Sequence, residues 1–208
     1  MTSKRTLMAT IMAMALVVLA VSAVSAQGNG GNGGGNPRPG QGRPVQGSPA
    51  QGPAAKGQTG GRLLQALPPA TDAEPTAEII DAMTAGILDE YHALAVYEAV
   101  IDQFGAVRPF TNIMRAEQKH IDAWAAMFER YDLPVPAAPA AVVVPEFESV
   151  AAACELGATA EVANFDLYDE MGEVFAGYPD LQQVASALRD ASEYNHLPAF
   201  ERCAATAR

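Results

Sequence analysis

The sequence predicts an all-α protein, a four-helix bundle with a long crossover between its second and third helices. Three observations carry that prediction. Four segments between residues 76 and 204 repeat apolar side chains every three or four positions, the period of a helix with one buried face. Residues 133–145 hold four prolines and no helical period, which separates the segments into two pairs. Each segment also breaks its apolar stripe with glutamate or histidine, and the breaks repeat between the pairs.

The chain opens with Lys4 and Arg5, an apolar run over residues 7–21, and Val24-Ser25-Ala26. A basic start, an apolar stretch and small residues describe a secretory signal peptide, residues 1–26. Cleavage is expected after Ala26, with Ala23 as the alternative. An uncleaved anchor is the other reading, because the run is near the ~18-residue lower limit for a spanning helix. No Arg-Arg pair is present, which favours export of an unfolded chain to a secreted or periplasmic location.

Residues 27–62 are Gly, Pro, Gln and Asn with almost no large apolar side chain. Such a composition cannot bury enough surface to offset chain entropy, so a disordered tether is expected. The signal and tether contain no acidic residue. Residues 63–208 therefore carry all 24 acidic side chains against seven basic ones. That imbalance excludes nucleic acid as a partner, since phosphate binding needs a basic surface. It favours cations. The remaining segment is long enough for one domain with a single core.

The first helix is expected over residues 76–104, with its stripe at Ile79 or Ile80, Met83, Ile87, Leu94, Tyr97, Ile101 and Phe104. Glu90 fills the one polar position on that stripe. A break at residues 105–109 leads to the second helix, residues 110–131. Its stripe is Ile113, Glu117, His120 or Ile121, Trp124, Phe128 and Tyr131. After the crossover, the third helix is expected from Pro145, with Glu146 and Glu148 favourable in its first turn. Its stripe holds Phe147, Val150, Cys154, Ala158, Phe165, Tyr168 and Phe175, with Glu161 as the acidic exception. The fourth helix follows a turn near Gly177 and carries Leu181, Leu188, Glu193, His196, Phe200 and Cys203.

Glu117 with His120, and Glu193 with His196, are each three residues apart and so share a helix face. Helices one and three each add one inward glutamate, Glu90 and Glu161. Buried carboxylates are costly unless they are paired or hold a metal. Four of them with two imidazoles form the ligand set of four-helix proteins that bind two iron or manganese ions. The halves also echo each other. Tyr97 follows Glu90 by seven residues, as Tyr168 follows Glu161, so each tyrosine is placed to hydrogen-bond a ligand carboxylate or to serve as plain core. His92 falls off the ligand face and reads as a surface residue.

Glu90 with Ala93 and Tyr97, Glu117 with His120, Glu161, and Glu193 with His196 resemble the rubrerythrin and ferritin-like superfamily. The wording of residues 110–120 and 192–200 is similar to an uncharacterised ferritin-like family, known as a domain of unknown function. The resemblance covers residues 76–204. It implies that Glu117 and Glu193 bridge two metals, with Glu90 and His120, and Glu161 and His196, as terminal ligands. Two departures stand out. Asn164 occupies a position where rubrerythrins carry a further carboxylate. Pro198 removes a helix hydrogen bond just past His196, so a kink is expected there. Rubrerythrins also have a cysteine-bound iron domain, for which this chain's two cysteines are too few.

Cys154 precedes Glu161 by seven residues and Cys203 follows His196 by seven. In antiparallel helices that meet at the metals, both cysteines fall about 10 Å to the same side, from the rise of ~1.5 Å per residue. Export favours a disulfide between them; two buried thiols are the alternative.

The functional expectation is an exported protein with two iron ions, manganese or zinc being the other metals considered. Oxygen or peroxide would be its partner in a ferroxidase or peroxide-scavenging reaction. An external electron donor is unassigned, and a homodimer is admitted. Two alternatives fit the same residues: an exported metal-binding module without turnover, and a helical interaction domain with a vestigial site.

Overall fold

A computed structural model of the chain describes residues 60–207. The expected signal peptide and nearly all of the expected tether lie outside them. Among the described residues all regular structure is helical: α1 Gly60–Gln65, α2 Ala77–Phe104, α3 Phe110–Arg130, α4 Val150–Val174, α5 Pro179–Ala191 and α6 Leu197–Thr206. A wider turn, Ser192–His196, joins α5 to α6 without a break, so the two make up the fourth long helix. The result is the expected helical bundle. The short α1 starts at Gly60, inside the segment expected to be tether, and Leu63 is buried in the core.

Local chemistry sets the helix ends. Thr76 caps α2, its hydroxyl accepting from the Ile79 N–H at 3.4 Å. Gly105, at φ +82°, ends it and returns its N–H to the Ile101 carbonyl. That backbone conformation suits glycine. The connection over residues 131–149 runs along the bundle surface. Gln103 holds it by both ends of its amide, donating to the Phe147 carbonyl at 2.6 Å and accepting its N–H at 3.3 Å.

The third long helix, α4, begins at Val150 and not near Pro145. Ser149 is the cap, with its hydroxyl accepting from the Ala152 N–H at 3.1 Å. Phe147 is buried and its backbone is engaged by Gln103, which keeps residues 145–148 out of the helix. At the far end of the bundle, the carboxylate of Asp180 lies fully buried at the start of α5. It accepts from Tyr131 Oη at 2.7 Å and meets Arg130 Nε at 2.9 Å, fastening α5 to the end of α3.

The core is in two halves. One gathers Trp124, Phe128, Leu167, Phe175 and Leu181; the other gathers Tyr97, Phe110, Ile113, Phe200 and Cys154. On every long helix the residues between the two halves are polar and buried: Glu90, Glu117 with His120, Glu161 with Asn164, and Ser192 with His196. The apolar halves thus sandwich one polar layer. On either side of it a glycine admits an aromatic ring. A Cβ on Gly86 would lie 2.7 Å from the Trp124 indole, and one on Gly157 would lie 2.8 Å from the Phe200 ring.

Cys154 and Cys203 form a disulfide between α4 and α6, with their Cα atoms 5.9 Å apart and a sequence separation of 49 residues. A loop of that size corresponds to about 4 kcal/mol of stabilisation through restriction of the unfolded chain. The Cys154→Ala, Cys203→Ala double variant is therefore expected to lose about 4 kcal/mol in urea unfolding, and a reducing agent should have no effect on that variant while destabilising the parent.

Candidate metal centre

Five of the six expected ligand residues come together in the polar layer. Glu90, Glu117 and His120 form one group that could hold a metal ion, and Glu117, Glu161 and His196 form a second. In each group the donor atoms lie within 4.8 Å of one another. Glu117 belongs to both. Its Oε2 lies 2.7 Å from His120 Nδ1 and its Oε1 lies 3.2 Å from His196 Nδ1. Glu90 Oε2 approaches His120 Nδ1 at 3.3 Å, and Glu161 Oε2 approaches His196 Nδ1 at 3.4 Å. The two imidazoles stack with centroids 5.5 Å apart. None of the five is more than 8% exposed.

Glu193 does not join them. Its carboxylate turns outward to Arg189, which also binds Asp169, and about a third of its side chain is exposed. The cause is the turn that contains it. Pro198 has no N–H and its ring crowds the carbonyl four residues back, so the helix cannot keep its α-helical spacing. It widens instead, and the Leu197 N–H bonds the Ser192 carbonyl five residues before it. In the wide turn each residue takes a smaller angular step, and residues three apart no longer share a face. The expected kink past His196 is thus a widening that includes His196. Ser192, four residues before His196, takes the inward place and is buried.

The tyrosines partner the glutamates crosswise. Tyr97 of the first helix pair donates to Glu161 Oε1 at 2.9 Å, and Tyr168 of the second donates to Glu90 Oε1. Trp124 Nε1 in turn donates to Tyr168 Oη at 3.3 Å, with the rings nearly parallel. Burial, then the facing glutamates, raise both phenols well above their ordinary pKa.

Burial and charge act against each other in the layer. Burial lifts the Glu90 carboxyl to about 8, although His120 pulls it down. Burial also opposes charge on His120, but Glu90 and Glu117 raise it to about 10. His196 is raised despite its burial by Glu117 and Glu161. Burial would lift Glu117, yet the two histidines on either side hold it below its usual range. Arg189 lowers Glu193.

Sequence reasoning passed over Asp89 and Ser192 and noted Asn164 only as a departure. Asp89 accepts from Asn164 Nδ2 at 2.5 Å, while Asn164 Oδ1 accepts from Ser192 Oγ at 2.6 Å. Burial, ahead of Glu161 and Glu117, lifts Asp89 to about 7. Asn164 was visible as a departure from the rubrerythrin pattern. Asp89 and Ser192 carry no comparable mark, since one adjoins a glutamate on an acidic chain and the other is a helix serine. A groove between α2 and α4, about 50 Å³, reaches Glu90, Glu117 and Glu161 past the small side chains of Ala93, Gly157 and Ala160. His92, expected at the surface, is half-buried and lines this groove, and burial lowers its pKa.

The donor set fits divalent cations. His196 Nδ1 is fully buried yet lacks a hydrogen bond of acceptable geometry, which is costly without a partner. Imidazole and carboxylate together suit iron, manganese or zinc.

A family model described as an uncharacterized protein domain (DUF2202) matches residues 80–149, which span most of α2, all of α3 and the crossover. The chain is similar to that family over Glu90, Glu117 and His120. No curated protein and no solved structure matches it. Among the described residues no helix is long and apolar enough to cross a membrane.

A pH dependence follows from the raised groups. For Glu90, raised from 4.5 to about 8, the stabilising contribution is complete below 4.5 and lost as pH rises through 8. For His120, raised from 6.5 to about 10, it is complete below 6.5 and lost towards 10. Chelator-treated protein should therefore become less stable to urea between pH 6.5 and 10, and Glu90→Gln should flatten the profile; stability rising over that window would contradict the ionisation described.

Proposed function

We propose that this is an exported protein that binds two metal ions, iron in the first instance, and reacts with oxygen or peroxide as a ferroxidase or peroxide scavenger. The observation that carries the reading is Glu117, a buried carboxylate shared by two groups of ligands. In this reading Glu117 bridges the ions, Glu90 and His120 hold one, and Glu161 and His196 hold the other. A pair of ferrous ions would supply the two electrons that reduce an O–O bond.

The protein's own residues do the rest. Tyr97 and Tyr168 orient the terminal glutamates by donating to them. The two apolar core halves flank the layer on either side, and low polarity around it strengthens its electrostatics. The groove between α2 and α4, lined in large part by small and apolar side chains, offers a small uncharged molecule a path to three carboxylates. The disulfide supports an oxidising compartment, in keeping with export.

Protein purified without added metal or chelator is expected to carry two ions per chain by metal analysis. After anaerobic loading with ferrous iron, oxygen or peroxide should oxidise the bound iron at least tenfold faster than in a Glu117→Ala control. Two bound ions with no oxidation above the control would leave a metal-binding module, and a metal-free protein of full stability would end both readings.

A further inference from the structure

We propose that the groove between α2 and α4 holds the carbon chain of an uncharged alkyl hydroperoxide, which makes that class of peroxide the preferred substrate of the two-ion centre. This substrate class presupposes the two-ion reading above and deepens it.

The groove has two kinds of surface. Its floor is buried and acidic, since it reaches Glu90, Glu117 and Glu161. Its walls are largely apolar, with Ala93 and Val96 on α2 and Ala153, Leu156, Gly157 and Ala160 on α4. Polar side chains along the walls are engaged with partners of their own. Tyr97 donates to Glu161 at 2.9 Å, Asn164 directs its amide nitrogen to Asp89 at 2.5 Å, and the Thr159 hydroxyl donates to the Glu155 carbonyl at 3.0 Å. A guest is therefore held by the apolar surface it buries.

Hydrogen peroxide does not suit such walls, because it is polar throughout and enters only by giving up hydrogen bonds to water. An alkyl hydroperoxide does. Its O–OH end matches the polar floor, and its chain gains about fourfold in affinity for each methylene buried against the walls. Charge narrows the class further. Residues 63–208 carry 24 acidic side chains against seven basic ones, and three carboxylates line the floor, so a tail bearing its own carboxylate is repelled. Size sets the chain. An apolar cavity of ~150 Å³ takes a benzene ring, so the groove's volume of about 50 Å³ takes about two carbon atoms. Thr159 on its rim is exposed, which leaves a longer chain free to run out towards solvent.

The reaction balances with the electrons of the two-ion reading. The O–O bond breaks, the alkyl-bearing oxygen leaves as an alcohol and the other as water. Two protons come from solvent, and two electrons come from the oxidation of two ferrous ions to ferric.

The chain loaded with Mn²⁺ tests the assignment without turnover, because Mn²⁺ speeds the magnetic relaxation of protons held near it. Metal analysis should count two ions per chain. Methanol and n-propanol carry the same polar end without and with a chain. Titrations read by methyl-proton relaxation should show n-propanol binding about 15-fold tighter, two methylenes at fourfold each. Ala160→Leu, which fills the groove, should keep two ions and bring that ratio near one. In the chain loaded anaerobically with ferrous iron, the rate of iron oxidation by n-propyl hydroperoxide relative to hydrogen peroxide should fall about tenfold in the same variant. Equal affinity for the two alcohols in the parent, or unchanged ratios in Ala160→Leu, would overturn the proposal while leaving the two-ion reading intact. Fewer than two ions in the parent would overturn both. Should Ala160→Leu not fold or not hold its ions, Ala93→Leu takes its place, and the parent's preference between the alcohols decides in either case.

Discussion

Glu117 lies between two imidazoles in the middle of the bundle, one oxygen facing His120 and the other His196. A carboxylate that is 3% exposed must be compensated, and every other feature of the polar layer answers to that requirement. The histidines come from two different helix pairs, so compensation of this one side chain ties the halves of the protein together. Glu90 and Glu161 then balance the histidines from the outside, and each needs its own donor. Tyr168 and Tyr97 provide those donors. The layer is a closed set of mutual contacts, in which His196 Nδ1 faces Glu117 at 3.2 Å and Glu161 at 3.4 Å without good hydrogen-bond geometry to either.

The crosswise tyrosines give the internal repeat a physical purpose. Each helix pair contributes a glutamate that the other pair's tyrosine holds, so neither pair is complete alone. The glycines make this approach possible. Gly86 lets the Trp124 ring into the layer's flank, and Gly157 does the same for Phe200. Repetition stops at function-bearing detail. Trp124 donates to Tyr168, whereas Phe200 meets Tyr97 with a ring that has nothing to donate. Only the second half has the proline that widens its turn, and only there do Ser192 and Asn164 reach towards Asp89.

The all-helical bundle, the order of its long helices and five of the polar residues that converge in it were legible in the sequence. The reason is that helical periodicity is local. A 3.6-residue turn puts Glu90 among Ile87 and Leu94, and Glu117 with His120, on the buried face whatever the rest of the chain does. Likewise Cys154 and Cys203 sit at matching heights because rise per residue is constant. What needed the tertiary structure was the outcome of competition between local rules. The sequence of the fourth helix offers Glu193 and His196 the same face, but Pro198 removes the regular turn on which that sharing depends, and Arg189 receives the displaced carboxylate. Phe147 is drawn into the core and held by Gln103, which delays the start of α4 to Val150, capped by Ser149. Asp89 gains its place only because Asn164, on a helix far away in sequence, faces it across the groove. Contacts of that kind depend on how helices dock, and no spacing along one helix encodes them.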